Sequence, residues 1–323
     1  MNFCFSIKMV FAYIICSQLL LASIQFTGNE TDPYRYIISA HTLGIGGEYL
    51  TQSAFEPNDH QWTGISFRND YAGAHNSMIF HIPDLTVKQI QVKSKLIYSG
   101  VNDIPETQQL MVDSEYGQYP DYSNITYFNY ADIGLLIGLK KYFNKNTIAE
   151  MNIKPYMTHA GSYRSLGLFF DLSFFKRFNE NLITGMSWQN LPIGLRSWNT
   201  GLKSMTASEL QGEIVYKKHS VNIMGGVNYS AGTSNPFSHL FYSSSYFLPY
   251  FGIEWILNPA FTIRGGCSNA YNVAGGLTIS VLGLKINYSS GLKNLNGYSL
   301  LTHGIDLKID LNNLAELQKI LKP

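Results

Sequence analysis

The feature that most restricts this chain is a two-residue alternation of apolar and polar side chains, cut by tight polar turns into runs of strand length. Side chains on a strand point alternately to its two faces, so residues i and i+2 share one. Leu166, Leu168, Phe170, Leu172 and Phe174 share a face opposite Gly167, Asp171 and Ser173. Leu210, Gly212, Ile214 and Tyr216 oppose Glu209, Gln211, Glu213, Val215 and Lys217. Val221, Ile223, Gly225, Val227 and Tyr229 oppose Ser220, Asn222, Met224, Gly226 and Asn228. His303, Ile305, Leu307, Ile309 and Leu311 oppose Thr302, Gly304, Asp306, Lys308 and Asp310, and Ile90, Val92, Leu96 and Tyr98 oppose Gln91, Lys93 and Lys95.

Any half-buried antiparallel sheet alternates in this way. Two observations favour lipid outside the sheet over a protein core beneath it. The polar faces carry full charges, which are costly to bury unless paired or wet, and a barrel lumen accommodates them. The apolar faces often end in an aromatic (Tyr98, Tyr216, Tyr229, Tyr288), as the interfacial girdles of membrane barrels do.

Tight polar connections fall at Pro83-Asp84, Asn144-Lys145-Asn146, Asn179-Glu180-Asn181, Lys217-Lys218-His219 and Asn258-Pro259. Longer stretches lie at 100–123, 191–208 and 230–246. Outer-membrane barrels combine short periplasmic turns with longer outer loops. Strands are predicted at 62–69, 75–82, 87–99, 125–143, 147–158, 165–178, 182–190, 209–217, 219–229, 247–257, 260–268, 273–281, 284–290 and 302–311. The fold class is therefore all-β, a transmembrane antiparallel β-barrel of about fourteen strands, an even number with both termini periplasmic.

The N-terminus reads differently. One charged side chain, Lys8, precedes a largely apolar run at 9–24, as in a signal peptide. Cleavage sites are available near Leu21-Ala22-Ser23 or Thr27-Gly28. Cys16 follows Tyr13-Ile14-Ile15, without the small residue that precedes a lipidated cysteine. No internal run approaches the roughly 20 apolar residues of a spanning helix. The division is 1–28 signal peptide, 29–60 N-terminal plug or periplasmic segment, 61–311 barrel and 312–323 short C-terminal periplasmic tail. Leu314, Leu317 and Leu321 give that tail helical spacing. Beyond the signal only Cys267 remains, so the chain is stabilised without an internal disulfide, through its closed backbone ladder. The formal net charge of +1 argues against a nucleic-acid surface, and mean hydropathy of −0.05 suits apolar outside averaged with polar inside.

Motifs for chemistry are scarce. The 8 histidines are scattered, with no HExxH and no closely spaced Cys/His set, so no metal or other cofactor is expected. The Gly44-Ile45-Gly46-Gly47 run lacks the Lys-Ser/Thr of a phosphate loop, and no G-x-S-x-G elbow occurs. The reading is a non-enzyme without catalytic residues. Asp171, Glu213, Glu254, Arg264, Lys285, Asp306 and Lys308 are expected to face the lumen. They would form a salt-bridged interior network or, alternatively, line a substrate path.

Several segments together resemble the PorV/PorQ family of outer-membrane barrels, related in fold to the FadL fatty-acid channel. The opening stretch 39–49, with Gly44, Gly46 and Gly47, resembles the family's Ala-x-x-Leu-Gly-x-Gly-Gly-Ala. Asp103, Ile104 and Pro105 after Gly100 resemble its Gly-Asp-Ile-Pro strand exit. Further matches follow in order: Ile153-Lys154-Pro155-Tyr156, Gly161-Ser162-Tyr163, Phe170-Asp171-Leu172, Trp188-Gln189-Asn190-Leu191, Phe251-Gly252-Ile253-Glu254-Trp255, Ile263-Arg264-Gly265-Gly266, Gly276-Leu277 and Leu284-Lys285-Ile286-Asn287-Tyr288. The resemblance spans most of 39–311, although Glu56-Pro57-Asn58-Asp59 stands where the family has Asn-Pro-Ala-Gly.

This resemblance implies a monomeric barrel of the bacterial outer membrane, surrounded by lipid. Within a larger complex, it would bind a type IX secretion translocon or exported cargo. The alternatives are a FadL-like channel for hydrophobic small molecules, plugged by 29–60, or a structural outer-membrane protein. Inward positions read as mostly Gly, Ser, Asn, Thr and charged residues, which favours the first over lipid transport, since a hydrophobic ligand needs an apolar pocket. Tyr- and Ser-rich stretches at 116–122 and 237–246 suit a protein partner.

Overall fold

The computed structural model describes residues 24–27, 34, 39–47, 50–51, 54–55, 62–70, 75–106, 111–114, 117–120, 125–191, 194–206, 208–230, 246–268, 271–295 and 298–313. Fourteen long strands form one antiparallel sheet that closes on itself. A short strand β1 (Ile24–Thr27) precedes them. The first half of the wall is β2 (Trp62–Asp70), β3 (His75–Val87), β4 (Ile90–Pro105), β7 (Tyr127–Asn144), β8 (Thr147–Ala160) and β9 (Tyr163–Arg177), with a small hairpin β5 (Met111–Ser114) and β6 (Gly117–Pro120) between β4 and β7. The second half begins with β10 (Leu182–Gln189), followed by a hairpin β11 (Leu195–Trp198) and β12 (Lys203–Thr206). It continues through β13 (Glu209–Lys218), β14 (Val221–Ser230), β15 (Tyr246–Asn258), β16 (Phe261–Cys267), β17 (Val273–Val281), β18 (Leu284–Leu295) and β19 (Tyr298–Asp310). The seam is the pairing of β19 with β2, from His303 opposite Asn69 to Asp310 opposite Trp62.

The alternation read from the sequence becomes the two sides of this wall. On β13, Leu210, Ile214 and Tyr216 are exposed while Glu209, Gln211, Glu213 and Val215 are buried. On β19, Ile305 and Leu307 are exposed while Thr302, Asp306 and Asp310 are buried. Exposed Phe, Ile, Leu, Trp and Tyr side chains surround the barrel, from Phe67 and Phe80 through Ile133, Leu168, Ile214, Ile253, Trp255 and Leu277 to Ile305. Such a continuous apolar belt is untenable in water, and a closed ladder with no free edge is what a bilayer requires of strands. The protein is an outer-membrane β-barrel.

Six tight turns gather at one end. Three are closed by an asparagine side chain that accepts a backbone N–H two residues on: Asn144 from Asn146 at 2.8 Å, Asn179 from Asn181 at 2.9 Å and Asn258 from Ala260 at 2.9 Å. The others turn at Lys88, at His219 and at Leu282-Gly283, all with positive φ. The predicted turn at Pro83-Asp84 is displaced. β3 runs on to Val87, and the ladder with β4 slips between Ile82 and Leu85. Proline has no N–H for a ladder, so this pair becomes an irregularity within the strand and the turn falls later. The opposite end carries the long connections 106–126, 190–208 and 231–245, but also short ones such as 161–162.

The N-terminal segment lies inside. Helix α1 (Ala40–Gly44) packs against β17, β18 and β19, capped by the Ser39 side chain, which accepts the Thr42 N–H. Gly46 and Gly47 then turn the chain at φ 104° and 84°, where a side chain would be strained. Ala54 and Phe55 lie lower, beside Ile148 and Phe175. β1, within the stretch read as signal, pairs in parallel with β12. Cleavage near Ala22-Ser23 retains that strand and cleavage at Gly28 removes it. Residues 1–23 of the expected signal and 314–323 of the expected C-terminal helix lie outside the described residues; Leu311–Asn313 form a 3-10 turn.

Candidate functional site

Two assemblies in the described interior bear on function. The first fastens the N-terminal segment to the wall. The Asp306 carboxylate accepts the N–H groups of Ala40 at 2.8 Å and His41 at 3.2 Å, and also receives the Asn287 amide at 3.1 Å. Glu213 accepts the N–H groups of Leu50 and Thr51, both at 2.8 Å, the Thr51 hydroxyl at 2.5 Å and the Tyr250 hydroxyl at 2.8 Å. Glu254 lies 2.7 Å from Arg264 Nε and 3.3 Å from His41 Nε2, and takes the Asn222 amide at 2.9 Å. Ser268 donates to the Gly46 carbonyl at 2.6 Å. Backbone N–H groups that no strand or helix satisfies are thus met by carboxylates of the barrel.

His41 is buried in this assembly. Burial itself holds its imidazole well below the ordinary histidine range, and the positive charges of Arg264, Lys285 and Lys308 add to the effect. Glu254 does not reverse this, because Arg264 already engages its carboxylate.

The second assembly lies where the wall is interrupted. β10 pairs with β9 only as far as Trp188 opposite Leu172, and β11 resumes against β9 at Leu195 opposite Leu168. Between them the chain leaves the ladder at Asn190, with φ 50°. Leu191 N–H reaches the Phe170 carbonyl at 2.8 Å, and Gly194 N–H the Leu191 carbonyl at 3.1 Å. Asp171 holds the break together: it accepts the Asn190 N–H at 2.9 Å and pairs with Lys154 at 2.7 Å, and Lys154 donates to the Asn190 side chain at 2.8 Å.

Behind this break stand three aromatic rings. Tyr156, 4 % exposed, and Phe169, 1 % exposed, are stacked with centroids 5.2 Å apart. Tyr34 meets Tyr156 edge-on at 6.1 Å and donates its hydroxyl to the Pro155 carbonyl at 2.6 Å. Lys154 sits over the Tyr34 ring, and Arg196 lies between the Tyr156 and Trp198 rings. Missing side chains create the room. A Cβ on Gly167 would come within 2.2 Å of the Tyr156 ring, and one on Gly194 within 2.4 Å of Phe169. Lys154 is held over its ring by the Asp171 carboxylate and Arg196 by the Thr158 hydroxyl, so the rings form a buried aromatic cluster inside the barrel.

The seven charged residues singled out from the sequence divide between these assemblies. Asp171 belongs to the break. Glu213, Glu254, Arg264 and Asp306 bind the inner segment, and Lys285 and Lys308 lie in the field of His41. Gly44, Gly46 and Gly47 are in the inner segment, and Gly44 packs so closely on β18 that a Cβ would meet Ser289 at 2.6 Å. Asp103, Ile104 and Pro105 are elsewhere, at an irregularity of β4 near its loop end, where the Asp103 N–H meets the Asn129 side chain at 3.1 Å.

The interior is mostly polar, as expected, but it also holds apolar clusters. Besides the three rings, Ile45, Ile183, Val215 and Met224 cluster inside, as do Ala54, Ile148 and Phe175. The signal was the loss of alternation at Leu168-Phe169-Phe170 and Phe174-Phe175, where both faces are apolar.

No protein-family model matches the sequence, and neither does any curated protein sequence. Solved structures do share its architecture. The Pseudomonas putida toluene transporter TodX superposes with a TM-score of 0.58 at 10 % identity, over 80 % of this chain and 91 % of that one. The CymD monoaromatic hydrocarbon channel gives 0.57 at 9 % identity, over 85 % and 97 %. A Pseudomonas aeruginosa FadL homologue gives 0.51 at 8 % identity, over 84 % and 98 %. The chain thus has the fold of the FadL-like outer-membrane barrels.

Proposed function

We propose that this protein is a FadL-like channel for small hydrophobic molecules. The observation that carries the reading is the stack of Tyr156 on Phe169, with Tyr34 against it, placed behind the break between β10 and β11. An apolar guest needs a concave aromatic or aliphatic surface with few polar demands, and beside these rings the Lys154 charge is met by Asp171. A plugged lumen beside an interrupted wall gives such a guest a place to rest between the aqueous end and the bilayer. Barrels of the same fold include a toluene transporter and a monoaromatic hydrocarbon channel, which supports the reading without assigning the cargo.

The test is equilibrium binding of radiolabelled toluene and of a long-chain fatty acid to the purified protein in detergent. Saturable binding of one of them, weakened several-fold by Tyr156→Ala and by Phe169→Ala, is the expected result. Absence of saturable binding for both ligands counts against the channel.

The ordered resemblance of 39–311 to the PorV/PorQ barrels supports a second, weaker reading, a type IX secretion component acting as a monomeric barrel within a larger complex. Recovery of a very large translocon barrel or of exported cargo with the tagged protein in mild detergent, with no bound hydrophobic ligand, would favour it.

A further inference from the structure

One row of the inner wall borders the first assembly, whose His41 lies in the field of Lys285 and Lys308. Following the strand registers around the barrel, Lys285 stands opposite Lys308, Lys308 opposite Gly64, Gly64 opposite His81, and His81 opposite Lys95. These residues form a single cross-strand row on β18, β19, β2, β3 and β4. All share the inward parity of their strands, and each is only partly buried, so water reaches them. Lys93 lies one inward step from Lys95 on β4.

A row of this kind is unfavourable by itself. Like charges directly opposite in an antiparallel pair repel, and Lys285 and Lys308 are such a pair. Among the described residues neither Lys95 nor Lys308 has a hydrogen-bond or ion-pair partner. Asp84 and Glu150 lie in the field of Lys95, as do Lys93 and Lys308, so the row keeps an excess of positive charge. Asp84 accepts the Gln91 amide at 2.6 Å, and Asp306 is committed to the N–H groups of Ala40 and His41. Glu150 stands beside Gly138, with Asn152 and the Lys93 stem, at the edge of the row. His81 Nε2 lies 2.8 Å from the Ser66 hydroxyl, and its other ring nitrogen has no hydrogen-bond partner among the described residues.

The shape matches the charge. Gly64 sits at the centre of the row with a basic residue on either side, and the Lys308 stem lies over it, 3.0 Å from where a Cβ would be. With strands about 4.8 Å apart, the Lys308 and Lys95 backbones are roughly 14 Å from each other. Two four-carbon stems are long enough to bring their ammonium groups toward a common point above Gly64 and His81. Helix α1 of the inner segment leans chiefly on β17–β19, at the Lys285 end of the row.

We propose that Lys95, Lys308 and His81 form an oxyanion-binding site on the lumen wall, centred on Gly64. Its ligand class is a small molecule carrying a doubly charged oxyanion, a phosphate or sulfate group. The site is separate from the aromatic cluster and does not depend on that cluster's binding any hydrocarbon.

The test uses the full barrel in detergent and inorganic phosphate as the probe, read by 31P line broadening with sulfate and acetate as competitors. Saturable broadening is expected, displaced by sulfate and poorly by acetate, and weakened at least tenfold in Lys95→Gln/Lys308→Gln. Hydrocarbon binding should be unchanged in that variant, so the failure of one site leaves the other legible. If Lys308→Gln loses the heat-modifiable gel mobility of a folded barrel, Lys95→Gln alone, on the far side of Gly64, serves instead. No broadening with the native protein, equal broadening in the variant, or acetate competing as well as sulfate each overturns the site.

Discussion

Asp306 on the last barrel strand accepts the N–H of Ala40 at 2.8 Å, a contact that joins positions 266 apart in sequence. The same carboxylate takes the His41 N–H, so it acts as a two-pronged anchor for the first turn of α1. Asp306→Ala leaves two buried N–H groups without acceptors, at a cost of about 1–3 kcal/mol each. We expect the segment to detach while the barrel stays folded. A nitroxide at Thr42→Cys in a Cys267→Ser background should become mobile in electron paramagnetic resonance, with urea unfolding of the barrel little changed. Asp306→Asn should be milder, because its amide oxygen still accepts.

Acid should loosen the same contact. Docking holds His41 below its ordinary range, whereas the released segment titrates near the usual histidine value of about 6.5. The released form therefore binds more protons, and docking is at full strength above that value and weakens as pH falls below it. Asp306, Glu254, Arg264, Lys285 and Lys308 are the charged groups around the ring. The nitroxide signal should sharpen between about pH 6.5 and 5 in the native protein and stay flat there in His41→Gln. Equal pH profiles would remove His41 from the cause.

The aromatic cluster depends on absent side chains. Gly167→Ala places a methyl group 2.2 Å from Tyr156 and must displace that ring from Phe169. Ligand affinity should fall by several-fold, in line with loss of a stacked pair worth about 0.5–1.5 kcal/mol. Gly212→Ala, where a Cβ meets nothing within 4 Å, is the matched control and should leave binding intact.

Ile214, 57 % exposed in the middle of β13, faces the bilayer. Ile214→Arg should cost about 2–4 kcal/mol in a vesicle folding titration if the residue lies near the midplane. A loss below about 0.5 kcal/mol would mean that the side chain reaches water.

All fourteen long strands were legible because each alternates over enough residues to distinguish its two faces. Asn144, Asn179 and Asn258 marked their turns for a local reason, since the asparagine closes the turn with its own side chain. Pro83-Asp84 misled because proline signals the loss of one hydrogen bond, and a slipped ladder absorbs that loss as well as a turn does. The inner aromatic surface was harder to find. Tyr34, Tyr156 and Phe169 come together only when the barrel has closed around the N-terminal segment, and no periodicity within one strand encodes that meeting. Nor did the stretch 191–208, read as one long loop, announce the hairpin of β11 and β12 within it.

The pairing of β19 with β2 has a mechanical consequence. It is the ladder between the last and first barrel strands, and so the one that shuts the cylinder. Asp306 lies within it, opposite Ser66, while its side chain points inward to the Ala40 and His41 amides. One residue thus serves both the closing ladder, through its backbone, and the inner segment, through its side chain, so the seam of the cylinder and the seating of α1 are mechanically joined at Asp306.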